Sequence, residues 1–360
     1  MKYITLGEIC KKGSSNIAQK DLEGNVGDYE IYGASGFIKK VDFYHQENPY
    51  IAIVKDGAGV GRTMILPAKS SVIGTMQYIL PNDDIDIRYL YYAISNMNLG
   101  KYYMGAAIPH IYFKDYQSEQ LPVRDIDEQK QIADVLAKTD ALIADRQAQL
   151  IKLDELVKSR FIELFGEPME NPHNYPVKRI DEVAELVKGI TYSPEEVCDK
   201  DGIVVLRSSN IKGSTFDLQD IVVISKKVPS EKLVKENDIL MCNRNGSARL
   251  VGKVALIPKL DENMTFGTFM TIVRSQMYKY LFVFFQMEAF RRQIQFQTAV
   301  AINQISLPLL AGVTVPIPPL ELQEQFAAFV EQTDKSKLAV QQSIAELEEL
   351  KKSLMQKYFG

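Results

Sequence analysis

The sequence predicts a mixed α/β fold built as a tandem duplication, in which a globular α/β domain followed by a long helix occurs twice. Residues 121–166 and 315–360 align without a gap, and internal repeats of this kind decide the architecture before any single element is assigned. Each copy also carries a heptad pattern, and related motifs recur in the segments before the two copies. The identical positions include Pro122/Pro316, Gln129/Gln323, Ala133/Ala327, Thr139-Asp140/Thr333-Asp334, Leu153/Leu347, Glu155-Leu156/Glu349-Leu350, Lys158-Ser159/Lys352-Ser353 and Phe165-Gly166/Phe359-Gly360.

The repeat divides the chain into four segments. Residues 1–120 and 169–314 are the predicted globular domains, and residues 121–168 and 315–360 are the predicted helical segments. The stretch ENPHNYP, residues 170–176, separates the two halves, because its prolines block the continuation of a helix or strand.

Each helical segment has apolar residues at alternating steps of four and three, the pattern of a coiled-coil seam. A helix over residues 127–165 would be about 58 Å long at 1.5 Å per residue. We therefore expect the two helices to pair with each other, the alternative being that each packs only on its own domain. Polar residues interrupt the seam at Thr139, Arg146, Thr333 and Lys337, and Gly166 and Gly360 are expected to end the helices. The apolar seam residues are Ile132, Leu136, Ile143, Leu150, Leu153, Val157 and Leu164 in the first copy, and Phe326, Val330, Val340, Ile344, Leu347 and Leu354 in the second.

The globular segments share motifs in the same order. The stretch DILMCNRNG, residues 238–246, matches YIAIVKDG, residues 50–57, with Arg244-Asn245-Gly246 opposite Lys55-Asp56-Gly57. FGTFMTIV from Phe266 matches IGTMQYIL from Ile73, and a helical pattern over residues 87–105 matches one near residues 280–295. AVAINQISLPLL matches AAIPHIYFKDY, which places Asn303 and Gln304 opposite Pro109 and His110.

Composition is that of an ordinary globular protein with a net charge of −4. The globular segments 1–120 and 169–314 carry 12 and 18 basic against 13 and 16 acidic residues, so the acidic excess lies in the helices. A nucleic-acid surface would therefore depend on local clusters of cations. Cys10, Cys198 and Cys242 are too few and too dispersed for a disulfide framework or a zinc site. No apolar run reaches the length of a membrane span and no signal peptide is evident, so we expect a cytosolic protein without a membrane partner.

Together these features resemble the specificity subunit of type I restriction-modification systems. The residues that carry the resemblance are TLGEI at 5–9, LPVRDIDEQKQI at 121–132, VPIPPLELQEQF at 315–326, and the leucine heptads that close on Phe-Gly in both copies. The resemblance covers essentially the whole chain. It implies that the globular domains are target-recognition domains, each reading one half of a bipartite site in double-stranded DNA.

The same resemblance implies an antiparallel coiled coil that spaces the domains and recruits two modification (methyltransferase) subunits, together with restriction-translocase subunits. It also implies a non-catalytic chain without its own cofactor or metal. S-adenosylmethionine, ATP and Mg would be bound by the partner subunits.

Base-contacting side chains are expected in polar turns after strands, because Arg and Lys suit guanine while Asn and Gln suit adenine. The alternative for each is a solvated turn, and for His110 and Gln304 it is a role in capping or orienting the loop before the long helix. The candidates are Lys55, Arg62, His110, Arg207, Ser208, Asn210, Arg244, Asn245, Arg249 and Gln304.

Motifs for catalysis by this chain are weak. Gly57-Ala58-Gly59-Val60-Gly61 departs from the G-x-G-x-x-G pattern and is better explained as a hairpin turn. Glu47-Asn48-Pro49-Tyr50 lacks one proline of the adenine methyltransferase motif, and His45, His110 and His173 lack metal-ligand spacing. Two competing hypotheses remain: a two-headed coiled-coil adaptor that does not bind DNA, and, more weakly, a solo methyltransferase or nuclease.

Overall fold

The structure, a computed structural model, describes residues 2–105, 109–295 and 303–360. Residues 106–108 and 299–302 of the two matching loops lie outside this range. The chain forms two compact units. Unit 1 contains residues up to 148 together with 340–360, and unit 2 contains residues 149–339, so each unit includes part of both long helices.

Unit 1 is built from short strands, small helices and one part of each long helix. Its strands are β1 (Lys2–Thr5), β2 (Cys10–Ser14), β3 (Tyr29–Gly33), β4 (Gly36–Val41), β5 (Tyr50–Val54), β6 (Thr63–Leu66), β7 (Ser70–Val72), β8 (Met76–Pro81) and β9 (Gln120–Val123). Its helices are α1 (Leu6–Ile9), α2 (Ile87–Asn96), α3 (Phe113–Tyr116) and the start of α4 (Ile126–Phe165).

The central sheet of unit 1 has the antiparallel order β2-β8-β5-β6. Every residue of β5 is buried, and alternate side chains enter different cores because successive residues of a strand face opposite sides. Ile51 and Ile53 pack toward α2, while Tyr50, Ala52 and Val54 pack toward the second sheet, β4-β3-β7. The helical pattern that begins at residue 87 has one apolar face, and this face is buried: Leu90, Ala93 and Ile94 of α2 and Met97 directly after it are all buried.

Unit 2 repeats this plan. The strands are β10 (Val177–Arg179), β11 (Glu185–Lys188), β12 (Val197–Cys198), β13 (Ile203–Leu206), β14 (Ile211–Lys212), β15 (Thr215–Phe216), β16 (Val222–Ile224), β17 (Ile239–Cys242), β18 (Val254–Leu256), β19 (Met264–Phe266), β20 (Met270–Arg274) and β21 (Thr314–Pro316). The sheet β11-β20-β17-β18 corresponds in strand order and direction to β2-β8-β5-β6, and β10-β21 corresponds to β1-β9. In the second sheet, β12-β16-β13-β19, the last three strands correspond to β4-β3-β7. The predicted duplication is confirmed. The helices are α5 (Ile180–Val183), α6 (Tyr278–Phe284), α7 (Glu288–Gln295), α8 (Leu307–Gly312) and α9 (Leu320–Phe359).

One predicted helix is shorter than its sequence pattern. The pattern over residues 87–105 gives α2 only as far as Asn96, and a short 3-10 turn, Leu99–Tyr102, follows. Asn98 between them has φ +50°, in the left-handed region that asparagine tolerates better than most residues. The helix therefore ends just before the residue with a left-handed backbone conformation, although apolar residues continue in the sequence after it.

Both long helices have 40 residues, which corresponds to about 60 Å. The predicted seam is confirmed: all its apolar positions are buried or half-buried, and Arg146 alone among the seam positions is exposed. Thr139 and Thr333 are buried, and their hydroxyls donate to the carbonyls of Val135 and Phe329 one turn earlier at 2.9 and 3.0 Å. The polar interruptions are thus satisfied within their own helix.

The helices pair antiparallel in each unit. In unit 2, Asp154 contacts Lys337 at 2.6 Å, and Phe161, seven residues further on, contacts Phe326, eleven residues earlier in α9. In unit 1, Asp140 contacts Lys351 at 2.6 Å. Residue numbers therefore increase along α4 while those of the contacting residues in α9 decrease, as in an antiparallel pair.

The Phe-Gly end of each helix packs into a globular core. Phe359 lies 5.0 Å from the ring of Tyr89, whose hydroxyl donates to the carbonyl of Pro122. In unit 2, Phe165 lies 5.0 Å from Tyr280, whose hydroxyl donates to the carbonyl of Pro316 at 2.8 Å. The ring contacts explain why the repeat keeps its phenylalanine, whereas the carbonyl at the proline position could be supplied by any residue.

Candidate nucleic-acid interface

In unit 1, the end of β5 is bonded to the segment that leads into the long helix. The amides of Lys55 and Asp56 donate to the carbonyl of Thr75 at 3.0 and 3.2 Å, and the carbonyl of Lys55 accepts from the amide of Ile111 at 2.9 Å. Asp56 and His110 form an isolated backbone bridge. His110 is therefore held directly beside the strand end.

In unit 2, the end of β17 has the same bonding pattern. The amides of Asn243 and Arg244 donate to the carbonyl of Phe269 at 3.0 and 3.3 Å, and the carbonyl of Asn243 accepts from Ile305 at 2.7 Å. Arg244 and Gln304 form the isolated bridge. The predicted correspondence of Gln304 with His110 is confirmed.

These bonds correct the predicted register by one residue. Asn243 corresponds to Lys55 and Arg244 to Asp56, whereas the glycine-based alignment put Arg244 opposite Lys55. The same shift applies to the adjacent strand, where Phe269 corresponds to Thr75. The register is set by the backbone hydrogen bonds between neighbouring strands and not by the glycine that follows the strand. The glycines misalign because the turn after β17 is three residues longer than the turn after β5.

The turn after β5 is a hairpin, as predicted for its glycines. β5 and β6 are antiparallel neighbours, and Gly57, Gly59 and Gly61 all have positive φ, the conformation that glycine adopts without steric cost. Gly61 donates its amide to the carbonyl of Val54 at 2.9 Å and closes the turn.

A cation at the end of each hairpin tethers a neighbouring turn. Arg62 donates from Nη1 to the carbonyl of Ala34 at 3.0 Å. Its counterpart by backbone bonding is Lys253, which donates from Nζ to the carbonyls of Ser208 and Ile211 at 2.5 and 2.9 Å. Burial lowers the pKa of Lys253. The exposed Arg62 thus has a structural contact as well as its predicted contact with DNA.

Four of the predicted residues of unit 2 meet around one cleft of about 1190 Å³. The Asn245 amide nitrogen donates to the Ser208 hydroxyl at 3.2 Å, and the Arg244 guanidinium lies 5.0 Å from the ring centre of Phe269. Phe269 is half-exposed. The strand ends thus bring hydrogen-bonding groups and an aromatic face to one concave surface, lined by Thr191, Tyr192, Arg207, Ser208, Ser209, Asp220, Arg244, Asn245, Thr268, Phe269 and Asn303 among others.

Arg207 at the edge of this cleft is paired with an acidic residue. Its Nη2 donates to Asp220 at 2.7 Å, while its Nε is buried and makes no hydrogen bond within the described part of the chain. The ion pair reduces the local positive charge. A polar ligand in the cleft could reach the exposed carboxylate of Asp220 as well as Arg207.

Asn210 has an internal role, so we correct its assignment as a DNA-contacting residue. Its side chain is fully buried. Its carbonyl oxygen accepts from the amide of Arg207 at 2.7 Å, and its amide nitrogen donates to the carbonyls of Asp217 and Asp220, both at 2.9 Å. Asn210 therefore positions the Arg207–Asp220 pair and does not reach the surface.

Arg249 and Gln304 lie in a second depression, of about 390 Å³. Asn303 lines both depressions, and its side chain donates to the carbonyl of Gly246 at 3.1 Å. Asn303 and Phe269 are not among the DNA-contacting residues predicted from the sequence. The signal for Asn303 was its place in the loop beside Gln304, whereas the exposure of Phe269 depends on the fold.

In unit 1 the corresponding groups form a small charged cluster. His110 Nδ1 contacts Asp56 Oδ1, and Lys55 Nζ lies 4.0 Å from Asp56 Oδ2. The imidazole lies 4.0 Å from the ring of Tyr112, which is half-exposed. The two units therefore present different chemistry from equivalent backbone positions.

Within residues 2–105, 109–295 and 303–360, no group of three or more His, Cys, Asp or Glu side chains is placed to hold a metal ion. Across the same ranges, no helix has the length and apolar character needed to cross a membrane.

The type I restriction modification DNA specificity domain model matches the chain over residues 1–153 and 172–349, which include all of the first globular segment and all but three residues of the second. The chain belongs to this family. The chain is similar to the specificity subunit of the type I restriction enzyme MjaVIII of Methanocaldococcus jannaschii, with 24% identity over 89% of this chain and 81% of that protein. The EcoBI specificity subunit of Escherichia coli is 22% identical over 77% of this chain and 66% of that protein.

Two solved structures share the fold of this family member. The S subunit of a type I restriction-modification system from M. genitalium has a TM-score of 0.58 and 15% identity over 100% of this chain and 96% of that chain. A chain from a structural study of type I system assembly and conformational transition has a TM-score of 0.54 and 15% identity, over 99% and 97% of the two chains.

Proposed function

We propose that this chain is the DNA sequence-specificity subunit of a type I restriction-modification complex and that it reads a bipartite site in double-stranded DNA, one half with each globular unit. The observation that carries the proposal is the family match over both globular segments. The duplicated fold supports it, because two diverged copies of one domain suit a target with two different halves.

The surfaces for DNA are the strand-end clusters of the two units. In unit 2 they offer Arg207, Ser208, Arg244 and Asn245 around the cleft, with Arg249 and Gln304 beside it. In unit 1 they offer Lys55, Arg62 and His110. These are the side-chain types that bond base edges and phosphates. Because the basic and acidic residues of each globular segment nearly balance, we expect weak non-specific binding and a modest dependence on salt.

Two modification subunits are the proposed partners of the paired helices. Residues 155–159 (ELVKS) and 349–353 (ELKKS) are identical at four positions, and all four are exposed in both copies. Leu156 and Leu350 are each 48% exposed. Packing inside the chain does not require identity at exposed positions, so this surface suits two copies of one partner.

The remaining partners and all cofactors follow from the proposed role. Restriction-translocase subunits would complete the complex, S-adenosylmethionine would belong to the modification subunits, and ATP and Mg would belong to the translocase. This chain would perform no chemistry itself, and it would act where the chromosome is, in the cytoplasm. A coiled-coil adaptor that does not bind DNA is the weaker hypothesis, because the family match covers both globular segments.

The test is a methylome. The chain is co-expressed with its adenine methyltransferase subunit in a methylation-free host, and modified adenines are mapped by long-read sequencing. We expect one split motif, of which one half changes when residues 1–120 are exchanged for those of a relative and the other half when residues 169–314 are exchanged. An assembled complex that binds S-adenosylmethionine but methylates no motif would overturn the proposal in favour of the adaptor.

A second experiment tests the partner surface. Leu156→Glu and Leu350→Glu change exposed side chains, so the chain should stay folded, while each substitution removes one modification subunit from the complex in native mass spectrometry. The double variant should bind neither. Ile151→Glu is the matched control, because Ile151 is 61% exposed on the same helix but its counterpart in the second copy is Ala345. Two modification subunits bound to the double variant would show that the surface lies elsewhere.

A further inference from the structure

The two units differ most sharply at one equivalent position, which we call the bridge pair: Asp56 with His110 in unit 1, and Arg244 with Gln304 in unit 2. The neighbouring backbone bonds are the same in both units. The bridge itself is a backbone contact in both units, and only in unit 1 do the side chains of the pair also contact each other, through His110 Nδ1 and Asp56 Oδ1. The backbone bridge of unit 2 is formed without such a side-chain contact in the described residues. The choice of side chain is therefore open to selection for another purpose.

The bridge pair of unit 2 is a set of donors on an open surface. Arg244 and Gln304 are both exposed. The Arg244 guanidinium lies over Phe269, 5.0 Å from the ring centre, and this contact limits the orientations of its planar fork. A guanidinium held in this way matches the two acceptors of guanine, O6 and N7, in the major groove.

The bridge pair of unit 1 has the opposite polarity. An ionised carboxylate only accepts hydrogen bonds, and Asp56 is partly exposed, with 28% of its side chain accessible. His110 contacts Oδ1, and Oδ2 lies toward Lys55. A carboxylate facing DNA is repelled by phosphate, but it can accept from the exocyclic amino group of cytosine.

The contacts that hold the turns in place are separate from the bridge pair. Arg62 and Lys253 tether the adjacent turns, and Asn210 anchors the Arg207 turn from inside. The scaffold therefore has its own residues in both units, and a change in the bridge pair leaves them intact.

We propose that the bridge pair selects a base in each half-site: Arg244 requires a guanine in the half read by unit 2, and Asp56 requires a cytosine in the half read by unit 1. Cytosine offers its N4 amino group to the carboxylate, whereas the amino group of adenine lies beside the N7 acceptor, which repels a carboxylate. This inference rests on the proposed function and deepens it, because it names the residues that make the two half-sites differ.

The first test uses the methyltransferase complex and its mapped motif. The half-site assigned to residues 169–314 must contain a G·C pair. Arg244→Gln should remove the requirement for guanine at one position and favour adenine there, while the other half-site stays unchanged. Asp56→Asn should remove the requirement for cytosine at one position of the half-site assigned to residues 1–120 and favour adenine there. Lys259→Gln, an exposed cation of unit 2 away from the cleft, is the matched control and should leave both halves unchanged.

A second test changes the DNA, so that its main measurement uses the wild-type complex. Duplexes carry 7-deazaguanine, which lacks the N7 acceptor, at each guanine of the unit 2 half-site in turn. One substitution should weaken binding of the wild-type complex by about ten-fold, and the Arg244→Gln complex should not distinguish that duplex from the normal one.

The outcomes separate the two proposals. A wild-type complex with no split motif contradicts the proposed function. A split motif whose unit 2 half-site has no G·C pair, or a motif that Arg244→Gln leaves unchanged, contradicts only the inference. Equal weakening of every sequence by Arg244→Gln would make Arg244 a phosphate contact and also overturn it.

Discussion

Replacement of Phe161 by alanine should destabilise unit 2 strongly. Phe161 is fully buried near the end of α4. Its ring centre lies 4.9 Å from those of Phe165 and Tyr280 and 5.5 Å from that of Phe326. These rings come from α4, α6 and α9, so the phenyl group joins both long helices to the globular core.

The magnitude follows from the cavity that the substitution leaves. A buried Phe→Ala change costs about 3–5 kcal/mol of unfolding free energy. Unit 2 spans residues 149–339, and for a unit of that size each kcal/mol lowers Tm by about 2–4 °C. We expect Phe161→Ala to lower the Tm of the unit 2 transition by about 6–20 °C.

Differential scanning calorimetry of the purified chain measures this, with each transition fitted separately because a chain of two units need not unfold in one step. Ile162→Ala is the matched control: it changes the next residue, which is 44% exposed, and should shift Tm by only a few degrees. Met355→Ala at the equivalent position of the second copy should affect unit 1 instead. A Phe161→Ala shift as small as that of Ile162→Ala would refute the role of the aromatic cluster.

Three further predictions concern charge and buried polarity. Hydrogen bonds from Lys101 and the neighbouring tyrosine hydroxyl lower the pKa of Glu119 in the folded chain. A carboxyl group whose pKa is lowered by folding stabilises the protein above its usual pKa, and this stability is lost as the pH falls through the folded-state pKa. Glu119→Gln should therefore make Tm fall less steeply as the pH is lowered. Lys351→Asp should cost about 1 kcal/mol by facing Asp140, and adding Asp140→Lys should recover part of it in a denaturant double-mutant cycle; no recovery would argue against the antiparallel register. Asn210→Ala should cost about 1–3 kcal/mol, because it leaves buried polar groups unpaired, and a neutral result in urea unfolding would contradict its internal role.

The sequence alone was sufficient to predict the features that repeat along the chain or depend on local turn residues. The heptad pattern predicted the buried seam of both long helices, because a 3.5-residue spacing places its residues on one stripe. The internal repeat predicted that the second globular segment would follow the first, and the strand orders of the two units confirm this. Local turn chemistry was also sufficient for the glycine hairpin after β5.

Features that depend on contacts between distant segments of the chain were harder to predict from the sequence. The contact of Asn210 with Asp217 and Asp220 comes from a loop that folds back over it, so a polar residue in a polar turn was assigned to the surface. The exposure of Phe269 likewise depends on the cleft around it. Composition marks such residues as polar or apolar but does not say which neighbours they meet.

The one-residue error at the strand end shows what a repeat can and cannot determine. Aligning the glycines put Arg244 opposite Lys55, and this pairing made the two units look alike, with a cation at the same place. The ladder instead puts Arg244 opposite Asp56. A donor thus stands in one unit where an acceptor stands in the other. For a protein whose two halves are proposed to read different sequences, this inversion on a shared scaffold separates the positions that hold the fold from those that can vary with the target.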